Sequence, residues 1–354
     1  MVGDRPSSHF KAQRWPLALT YFGSRVCTLS CSHCNVSAGS VLPRGKGGFW
    51  AHRVLLRRLS QLGYQSVVFT GGEPTLANTL AEDLLKAKSL GFRAVLFSNG
   101  LHMPVRVLHV LAAIRGTLVL SIHGLEKTHD AFVGRTGSFE SAIRCLSAAR
   151  HVGITTEVNS AVGSWNVPEL AKLGRHLGAL GIRSHVLLFT SKIGRAEGLG
   201  GLCLSLQEWR DLVSRLRGME LPHGLWVERM AVSREEWETL SGDERRGAYC
   251  SVPGHRRICL EPGGLTALCP IRASNPEEWS RANLFARGIA PRGAEDDSPN
   301  DSEPPAWVAA RDCPAHKNLP LSNEEQSAWI RVCPFFLERI DSVSNLSRNL
   351  AFCL

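Results

Sequence analysis

Three thiols lie within eight residues in the stretch Cys27-Thr28-Leu29-Ser30-Cys31-Ser32-His33-Cys34. The stretch directly follows an apolar run, Trp15 to Phe22, that is typical of a β-strand. Three thiolates bind soft metal, and on a four-iron cubane they leave one iron without a protein ligand, free to bind and activate another molecule. The alternative is a closed structural zinc site made of the three cysteines and His33. Zinc modules, however, usually pair their cysteines as C-x2-C.

A second short segment, Gly71-Gly72-Glu73-Pro74, follows the next strand-like run. The spacing Cys27-x3-Cys31-x2-Cys34 resembles the cluster-binding motif of the radical S-adenosylmethionine (radical SAM) superfamily, and the glycine segment resembles that superfamily's second motif. The resemblance implies a [4Fe–4S] cluster on Cys27, Cys31 and Cys34 whose unique iron chelates SAM. It also implies an external electron donor of the flavodoxin or ferredoxin type. Reductive cleavage of SAM would release a 5′-deoxyadenosyl radical that takes a hydrogen atom from the substrate.

Length and composition fit an enzyme of this kind. The chain has 354 residues, 44% of them hydrophobic, which is enough for a barrel with an appended module. No run approaches the roughly 18 apolar residues of a membrane span, and the first residues show no apolar secretory signal, so we expect a cytoplasmic protein without a membrane partner. In that compartment the 11 cysteines are expected to include metal ligands rather than to form a disulfide framework.

The net charge is +9, from 41 Lys and Arg against 32 Asp and Glu. The basic residues are scattered along the chain and form no long run interleaved with aromatic residues. A solvated basic surface is therefore favoured over a nucleic-acid footprint. The expected partners are a small-molecule or peptide substrate and the electron donor.

Short apolar runs alternate with longer amphipathic ones over the first two hundred residues, as expected of successive β/α units around a parallel sheet. The six predicted strands are Leu17–Phe22, Ser66–Thr70, Ala94–Ser98, Thr117–Ile122, Thr155–Val162 and Ser184–Phe189. The predicted helices lie at about Trp50–Leu62, Thr79–Leu90, Pro104–Ile114, Phe139–His151, Val167–Leu180 and Leu206–Leu216. The family resemblance implies an α/β fold, an open (β/α)6 partial barrel. We assign 1–14 to an extension, 15–218 to the barrel and 219–354 to a C-terminal module, with a flexible insertion at 290–305.

Chemistry in parallel barrels takes place at the carboxyl ends of the strands, which selects the residues that follow each strand. Two adjacent glycines let the backbone approach a ligand closely. The resemblance places SAM against residues at these ends: Gly71, Gly72, Glu73, Ser98, Asn99, Ser121 and Asn159. It also implies that Arg135, in a segment from His129 to Phe139 that resembles a stretch common in the superfamily, meets the SAM carboxylate. His123 is a candidate to position substrate or relay a proton, and Gly194-Arg195-Ala196 completes the rim. The alternatives are ordinary turn residues and, for Arg135, a surface side chain.

The βα alternation stops after about residue 200, where cysteines become frequent. The segment from Cys250 to Cys269 resembles the opening of the SPASM and twitch modules, which add auxiliary iron–sulfur clusters to radical SAM barrels, but the full SPASM cysteine run is absent. We therefore expect a twitch-like module with one auxiliary [4Fe–4S] cluster on Cys250, Cys269, Cys313 and Cys333. The alternative is buried free thiols. Of the remaining cysteines, Cys203 and Cys259 are candidate hydrogen-atom donors to a substrate radical.

Three function classes fit the sequence. The first is a radical SAM oxidoreductase or isomerase acting on a natural-product precursor, either a sugar or aminocyclitol or a ribosomally made peptide, by epimerisation, dehydrogenation or cross-linking. The second is an RNA-modifying radical SAM enzyme, which the positive charge favours. The third is a non-catalytic iron–sulfur or zinc protein, which has no use for the Gly-Gly-Glu-Pro segment.

Overall fold

The structure, a computed structural model, describes residues 17–39, 48–182, 184–217, 219, 224–228, 231–239, 257–267, 269–270, 313, 329–331 and 337–339. The strands are β1 Leu17–Ser24, β2 Tyr64–Gly71, β3 Arg93–Ser98, β4 Thr117–Ser121, β5 Thr155–Val162, β6 Ser184–Phe189, β7 Gly224–Glu228, β8 Ala231–Ser233, β9 Arg257–Leu260, β10 Thr266–Ala267, β11 Trp329–Arg331 and β12 Leu337–Arg339. The helices are α1 Arg53–Gln61, α2 Leu80–Ser89, α3 Val105–Ala113, α4 Glu126–Val133, α5 Ser138–His151, α6 Leu170–Ala179, α7 Leu206–Arg217 and α8 Arg234–Thr239.

Ten of these strands form one sheet in the order β10-β9-β1-β2-β3-β4-β5-β6-β7-β12. Every neighbouring pair from β9 to β7 is parallel, and only the two edge pairs are antiparallel. Strands β8 and β11 form a separate two-stranded ribbon. The α/β class with a parallel sheet is thus confirmed.

All six predicted strands are present as β1 to β6, and the six predicted helices are also found. The parallel run is longer than predicted, because β7 and β9 add to it at its two ends. Both strands come from the part of the chain after residue 218 that was assigned to the C-terminal module, so the sheet continues across that boundary. Helix α4 was not predicted; it is two turns long and lies between Gly124 and Gly134.

The two faces of the sheet follow the period of two of a β-strand. Val67 and Phe69 of β2 belong to the main hydrophobic core, which includes side chains of α1, α2, α3, α5 and α6. Val68 and Thr70, which alternate with them along β2, line a cavity on the other face of the sheet. The sheet therefore separates a helix-covered core from the space where the strand ends converge. No helix among the described residues is long and apolar enough to cross a membrane.

Candidate active site

A cavity of about 350 Å³ opens on this face of the sheet. Its volume lies in the range of about 300–1,000 Å³ that is usual for small-molecule sites. It is lined by ten of the predicted site residues: Cys27, Cys31, Cys34, Gly71, Gly72, Glu73, Ser98, Asn99, Ser121 and His123. Residues from distant parts of the sequence are thus brought to one place, as the position of strand ends in a parallel sheet requires.

The three cysteines lie in the loop that follows β1, here called the cluster loop, residues 25–39. Its two ends are joined by backbone hydrogen bonds from Cys27 N to Gly39 O and from Gly39 N to Arg25 O, both 2.9 Å. Two sulfur atoms accept backbone N–H groups, Cys27 Sγ from Leu29 at 3.4 Å and Cys34 Sγ from Ala38 at 3.2 Å. Such N–H donors stabilise a thiolate and tune iron–sulfur clusters. The loop is therefore built to present sulfur ligands.

Burial has the largest effect on the pKa values of Cys27 and Cys31. It raises the pKa of Cys27, and it raises the pKa of Cys31 to about 12. The nearby Arg195 guanidinium lowers both values, but by less. Since metal ligation requires the thiolate, a bound metal must supply the compensating positive charge.

Arg195 clamps the cluster loop from the segment that follows β6. Its Nε donates to Cys31 O at 2.8 Å, and a second guanidinium nitrogen donates to Ala38 O at 2.5 Å. The backbone N–H of Arg195 donates to Cys34 O at 3.1 Å. Gly194, at φ +61°, packs so closely on the loop that a Cβ would overlap the carbonyl oxygens of Asn35 and Cys34. Arg195 was predicted only as a rim residue facing SAM or substrate; the structure joins it to the loop itself.

The two glycines after β2 are needed for a reason that the sequence did not reveal. A Cβ on Gly72 would overlap the carbonyl oxygen of Val26, and a Cβ on Gly71, at φ +126°, would overlap that of Ser24. The same backbones are hydrogen-bonded, with Gly72 N donating to Ser24 O at 2.6 Å and Glu73 N to Val26 O at 2.8 Å. These close approaches are made to the end of β1 and to the cluster loop. The approach of the same glycines to a ligand stays a prediction.

Glu73 is buried, 2% exposed, and its carboxylate joins the ends of β2 and β3. Oε1 accepts from Thr75 N, Thr75 Oγ1 and Ser98 Oγ at 3.1, 2.7 and 2.9 Å, and Oε2 accepts from Asn99 N at 2.8 Å. Burial raises the pKa of this carboxyl, and these four hydrogen bonds oppose the shift. Asn99 in turn directs its Nδ2 toward Cys27 Sγ at 3.9 Å. The Gly-Gly-Glu segment thus connects the cysteines to the next strand.

Three imidazoles form a group beside the cysteines. The ring of His123 lies 4.2 Å from that of His33 and 5.7 Å from that of His129, centroid to centroid, and His33 stacks on Phe132 at 4.9 Å. His123 Nδ1 accepts from Ala161 N, and His129 Nδ1 accepts from His123 N, each at 3.1 Å. Burial lowers the pKa of all three histidines, that of His33 to about 3 and that of His129 to about 4. Being neutral with Nδ1 as acceptor, His123 and His129 carry their hydrogen on Nε2.

The remaining predicted cofactor residues differ in their placement. Asn159 of β5 pairs with Ser121 of β4, is 3% exposed, and both polar atoms of its amide are buried without a partner among the described residues. Arg135 is exposed and does not line the cavity. The structure therefore gives no support to a SAM contact by Arg135, whereas Arg195 lines the cavity beside the cysteines.

The C-terminal cysteines are only partly described. Cys269 is buried, 7% exposed, and precedes Pro270, which lines the cavity. Cys313 is half-buried against the hydrophobic cluster that contains Leu204 and Trp209. Cys250 and Cys333 lie outside the described residues, so the auxiliary cluster stays a prediction.

The two candidate hydrogen-atom donors are not brought to the cavity. Cys259 is fully buried in β9, where it pairs with Thr20 of β1 and packs with Phe22 and Ala267. Cys203 is 9% exposed, follows a 3-10 helix and does not line the cavity. A donor role for either thiol has no support from its position.

In the part of the chain that the structure describes, no three His, Cys, Asp or Glu side chains converge on a point where one metal ion would be held. A cubane carries its protein thiolates on different iron atoms, so three thiols that line one wall of a cavity suit a cluster without converging on one point. The stacking of His33 on Phe132 places its ring in the aromatic group. The donor set, the N–H groups aimed at sulfur and the adjoining cavity therefore fit an iron–sulfur cluster with a bound small molecule.

Comparison with known proteins gives the same family as the motifs. Residues 21–173 match the family model of the radical SAM superfamily. The AdoMet-dependent heme synthase of Oleidesulfovibrio alaskensis is 29% identical over 196 residues, 54% of this chain and 50% of the relative. The sporulation killing factor maturation protein SkfB of Bacillus subtilis is 26% identical over 259 residues, 72% of this chain and 60% of the relative. The chain thus spans about half to three fifths of the length of these relatives.

Among solved structures, Streptococcus suis SuiB bound to the precursor peptide SuiA superposes with a TM-score of 0.63 at 17% identity, covering 79% of this chain and 66% of that chain. At this level of identity the likeness concerns the fold. It extends the match well beyond the residues of the family model.

Proposed function

We propose that the chain, whose residues 21–173 match the radical SAM family model, is an enzyme that cleaves SAM reductively and abstracts a hydrogen atom from an unactivated carbon of a natural-product precursor. The observation that carries the proposal is that one cavity is lined both by Cys27, Cys31 and Cys34 and by the Gly71–Glu73 segment. A non-catalytic metal protein has no need of such a cavity beside its ligands.

The cluster and SAM are assigned to particular residues of the cavity wall. Cys27, Cys31 and Cys34 would hold a [4Fe–4S] cluster, and Gly71, Gly72, Glu73, Ser98, Asn99 and Ser121 would surround SAM. Asn159, which pairs with Ser121 but does not itself line the cavity, is assigned to the same site. Bound together, cluster and SAM supply the 5′-deoxyadenosyl radical that removes the hydrogen atom. The amide of Asn159 supports this assignment: it has no partner among the described residues, and a buried polar group without a partner costs about 1–3 kcal/mol unless a ligand satisfies it.

The protein's own residues would protect and orient the reacting groups. Val68, Phe97, Leu188 and Phe189 give the cavity an apolar lining that excludes water from a reactive radical. The Nε2–H groups of His123 and His129 are donors for a polar atom of the cofactor or the substrate. Because burial keeps these imidazoles neutral, they donate hydrogen bonds without adding positive charge.

For the substrate we favour a ribosomally made peptide. SkfB, whose name describes the maturation of a killing factor, matches the chain over 72% of its length. SuiB, solved with a precursor peptide, shares the fold over 79% of the chain. Both matches reach beyond the radical SAM domain into the part of the chain where substrate and auxiliary cluster would lie.

A second candidate substrate is a tetrapyrrole, because the AdoMet-dependent heme synthase is the more identical of the two relatives over its matched residues. Its match covers 54% of the chain, which is little more than the radical SAM domain. That extent supports a common cofactor chemistry more than a common substrate.

We further propose that Cys250, Cys269, Cys313 and Cys333 hold an auxiliary [4Fe–4S] cluster. Cys269 supports this, because the next residue, Pro270, lines the cavity. A cluster there would adjoin the substrate, where it can accept an electron for net oxidation.

The proposal is tested with protein reconstituted anaerobically with iron and sulfide. Incubation with dithionite or reduced flavodoxin and SAM should release 5′-deoxyadenosine, and methionine, in the wild type but not in a Cys31→Ala variant. A wild type with full iron content that releases no 5′-deoxyadenosine would refute the radical SAM assignment of the whole chain. Mass spectrometry with a precursor peptide and with iron coproporphyrin, incubated separately, then distinguishes the two substrate classes.

A further inference from the structure

One polar corner of the cavity has no part in holding the cysteines. Glu228 is the last residue of β7, and Thr190 directly follows β6, so both lie at the carboxyl ends of adjacent parallel strands. In the sheet order these strands lie five and six places from β1, which leads into the cluster loop. Both residues nevertheless line the same cavity as the cysteines.

Neither side chain is fully satisfied by the residues that the structure describes. Glu228 is 8% exposed, and the hydrogen bond described for its carboxyl group is from Phe189 N to Oε2 at 2.8 Å. A carboxyl group can form several more hydrogen bonds than this one. Thr190 is 6% exposed, and its hydroxyl is buried without a partner in the described part of the chain. Two incompletely satisfied polar groups that line one cavity at the ends of adjacent strands are typical of a ligand subsite.

The other charged groups of the cavity wall are already engaged. The Glu73 carboxylate accepts four hydrogen bonds from the protein. Arg195 donates its guanidinium hydrogens to the carbonyls of Cys31 and Ala38. Glu228 is therefore the acidic group of this wall with lone pairs to offer. A ligand group that donates a hydrogen bond would complement such a carboxyl.

We propose that Glu228 and Thr190 form a substrate subsite that binds a hydrogen-bond-donating group, an amine or a hydroxyl, and so fixes the carbon that faces the cysteine side of the cavity. The inference rests on the proposed function, since the bound group is taken to belong to the substrate. Burial raises the pKa of Glu228 to about 8, which agrees with a carboxyl that awaits a partner. Above pH 8, where the Glu228 carboxyl is ionised, the subsite excludes carboxylates, because two ionised carboxylates in a buried corner repel one another.

The subsite is tested by binding of small probes to reconstituted protein, followed by ligand-observed NMR. The probes are 2-phenylethylamine, 2-phenylethanol and phenylacetate, which share an aromatic body suited to the apolar wall. At pH 9, above the pKa of Glu228, the amine, the alcohol or both should bind to the wild type, and phenylacetate should not. Thr190→Val and Glu228→Leu should each weaken that binding by about tenfold or more. Thr70→Val, which changes a cavity-lining threonine of β2, is the matched control and should leave it unchanged.

Glu228→Gln distinguishes the two donor classes. The amide oxygen still accepts from a hydroxyl, so retained alcohol binding identifies a hydroxyl subsite, whereas loss of amine binding identifies an ionic one. Equal binding of phenylacetate to the wild type, or unchanged probe binding in Thr190→Val and Glu228→Leu proteins that unfold at the wild-type temperature, would overturn the inference. Release of 5′-deoxyadenosine by the wild type is measured separately, so a failure of the subsite is distinguishable from a failure of the proposed function.

Discussion

Gly72 and Val26 are packed so closely that a single added carbon on Gly72 would overlap the carbonyl oxygen of Val26. The contact joins the end of β2 to the cluster loop just before Cys27. The cluster loop can lie this close to β2 only because residue 72 has no side chain. Since the loop carries the three cysteines, the glycine also determines where their sulfur atoms lie.

A Gly72→Ala variant is accordingly expected to displace residues 25–27 and to lower the iron content after reconstitution, together with SAM cleavage. Gly39→Ala is the control in the same loop, because a Cβ at Gly39 meets no atom within 4 Å. Iron and sulfide analysis of both variants measures the effect. Full iron content in Gly72→Ala with impaired SAM binding would instead place a ligand, rather than the loop, against this glycine.

The three cysteines are expected to act as one unit. Replacing any of Cys27, Cys31 or Cys34 by Ala should remove about four irons per chain and all release of 5′-deoxyadenosine, since a three-thiolate site has no ligand to spare. Cys145→Ala, at a thiol buried in α5, is the control and should cost some stability but no iron. In the triple variant about four irons should remain if the auxiliary cluster exists. A triple variant without iron would refute that cluster.

Glu73 is expected to be important for stability, because its carboxylate accepts four hydrogen bonds in the protein interior. Glu73→Gln keeps the shape but turns one acceptor into a donor that faces other donors. The free energy of unfolding should fall by about 2 kcal/mol or more, whereas Ser98→Ala should cost about 1 kcal/mol. Urea unfolding followed by circular dichroism gives both values. Equal stability of Glu73→Gln and wild type would show that the carboxyl is already protonated in the native state.

Part of this site could be predicted from the sequence and part could not. Ten residues of the cavity wall were predicted from the cysteine spacing and from the ends of β1 to β4. This was possible because periodicity and motifs are local properties of the chain. Strand β7 and the pairing of β9 with β1 were missed, because they depend on contacts between distant residues; the hairpin of β9 and β10 around residues 261–264 was predicted from its turn residues. Glu228 was not predicted as a site residue, because it is the last residue of β7 and that strand was not predicted. The contact of the two glycines with Ser24 and Val26 was not foreseen, since sequence shows that a close approach is needed but not every group that approaches.

The pH dependence of stability should reveal the burial of Glu228. Burial raises its pKa from the ordinary 4.5 to about 8, so the folded state binds a proton that the unfolded state has lost between these values. The contribution of this group is therefore fully present below pH 4.5 and is lost as pH rises toward 8. Glu228→Gln should gain stability relative to the wild type between pH 5 and pH 8.5. A stability difference that does not change over this range would show that Glu228 is ionised throughout.

Arg195 is expected to determine how long the cluster loop holds its metal. Its guanidinium joins the carbonyls of Cys31 and Ala38, and so holds two points of the loop at once. A lysine keeps the positive charge but cannot reproduce the planar fork, so Arg195→Lys should release iron to a chelator several times faster than the wild type. Arg135→Lys is the matched control, because that side chain is exposed and lies outside the cavity wall, and its rate of iron release should be unchanged. The rates are followed by the absorbance of the iron–chelator complex under anaerobic conditions. If Arg135→Lys loses iron or SAM cleavage while Arg195→Lys does not, the cation of the site is the one first predicted from the sequence, and the clamp described here has no part in holding the cysteines.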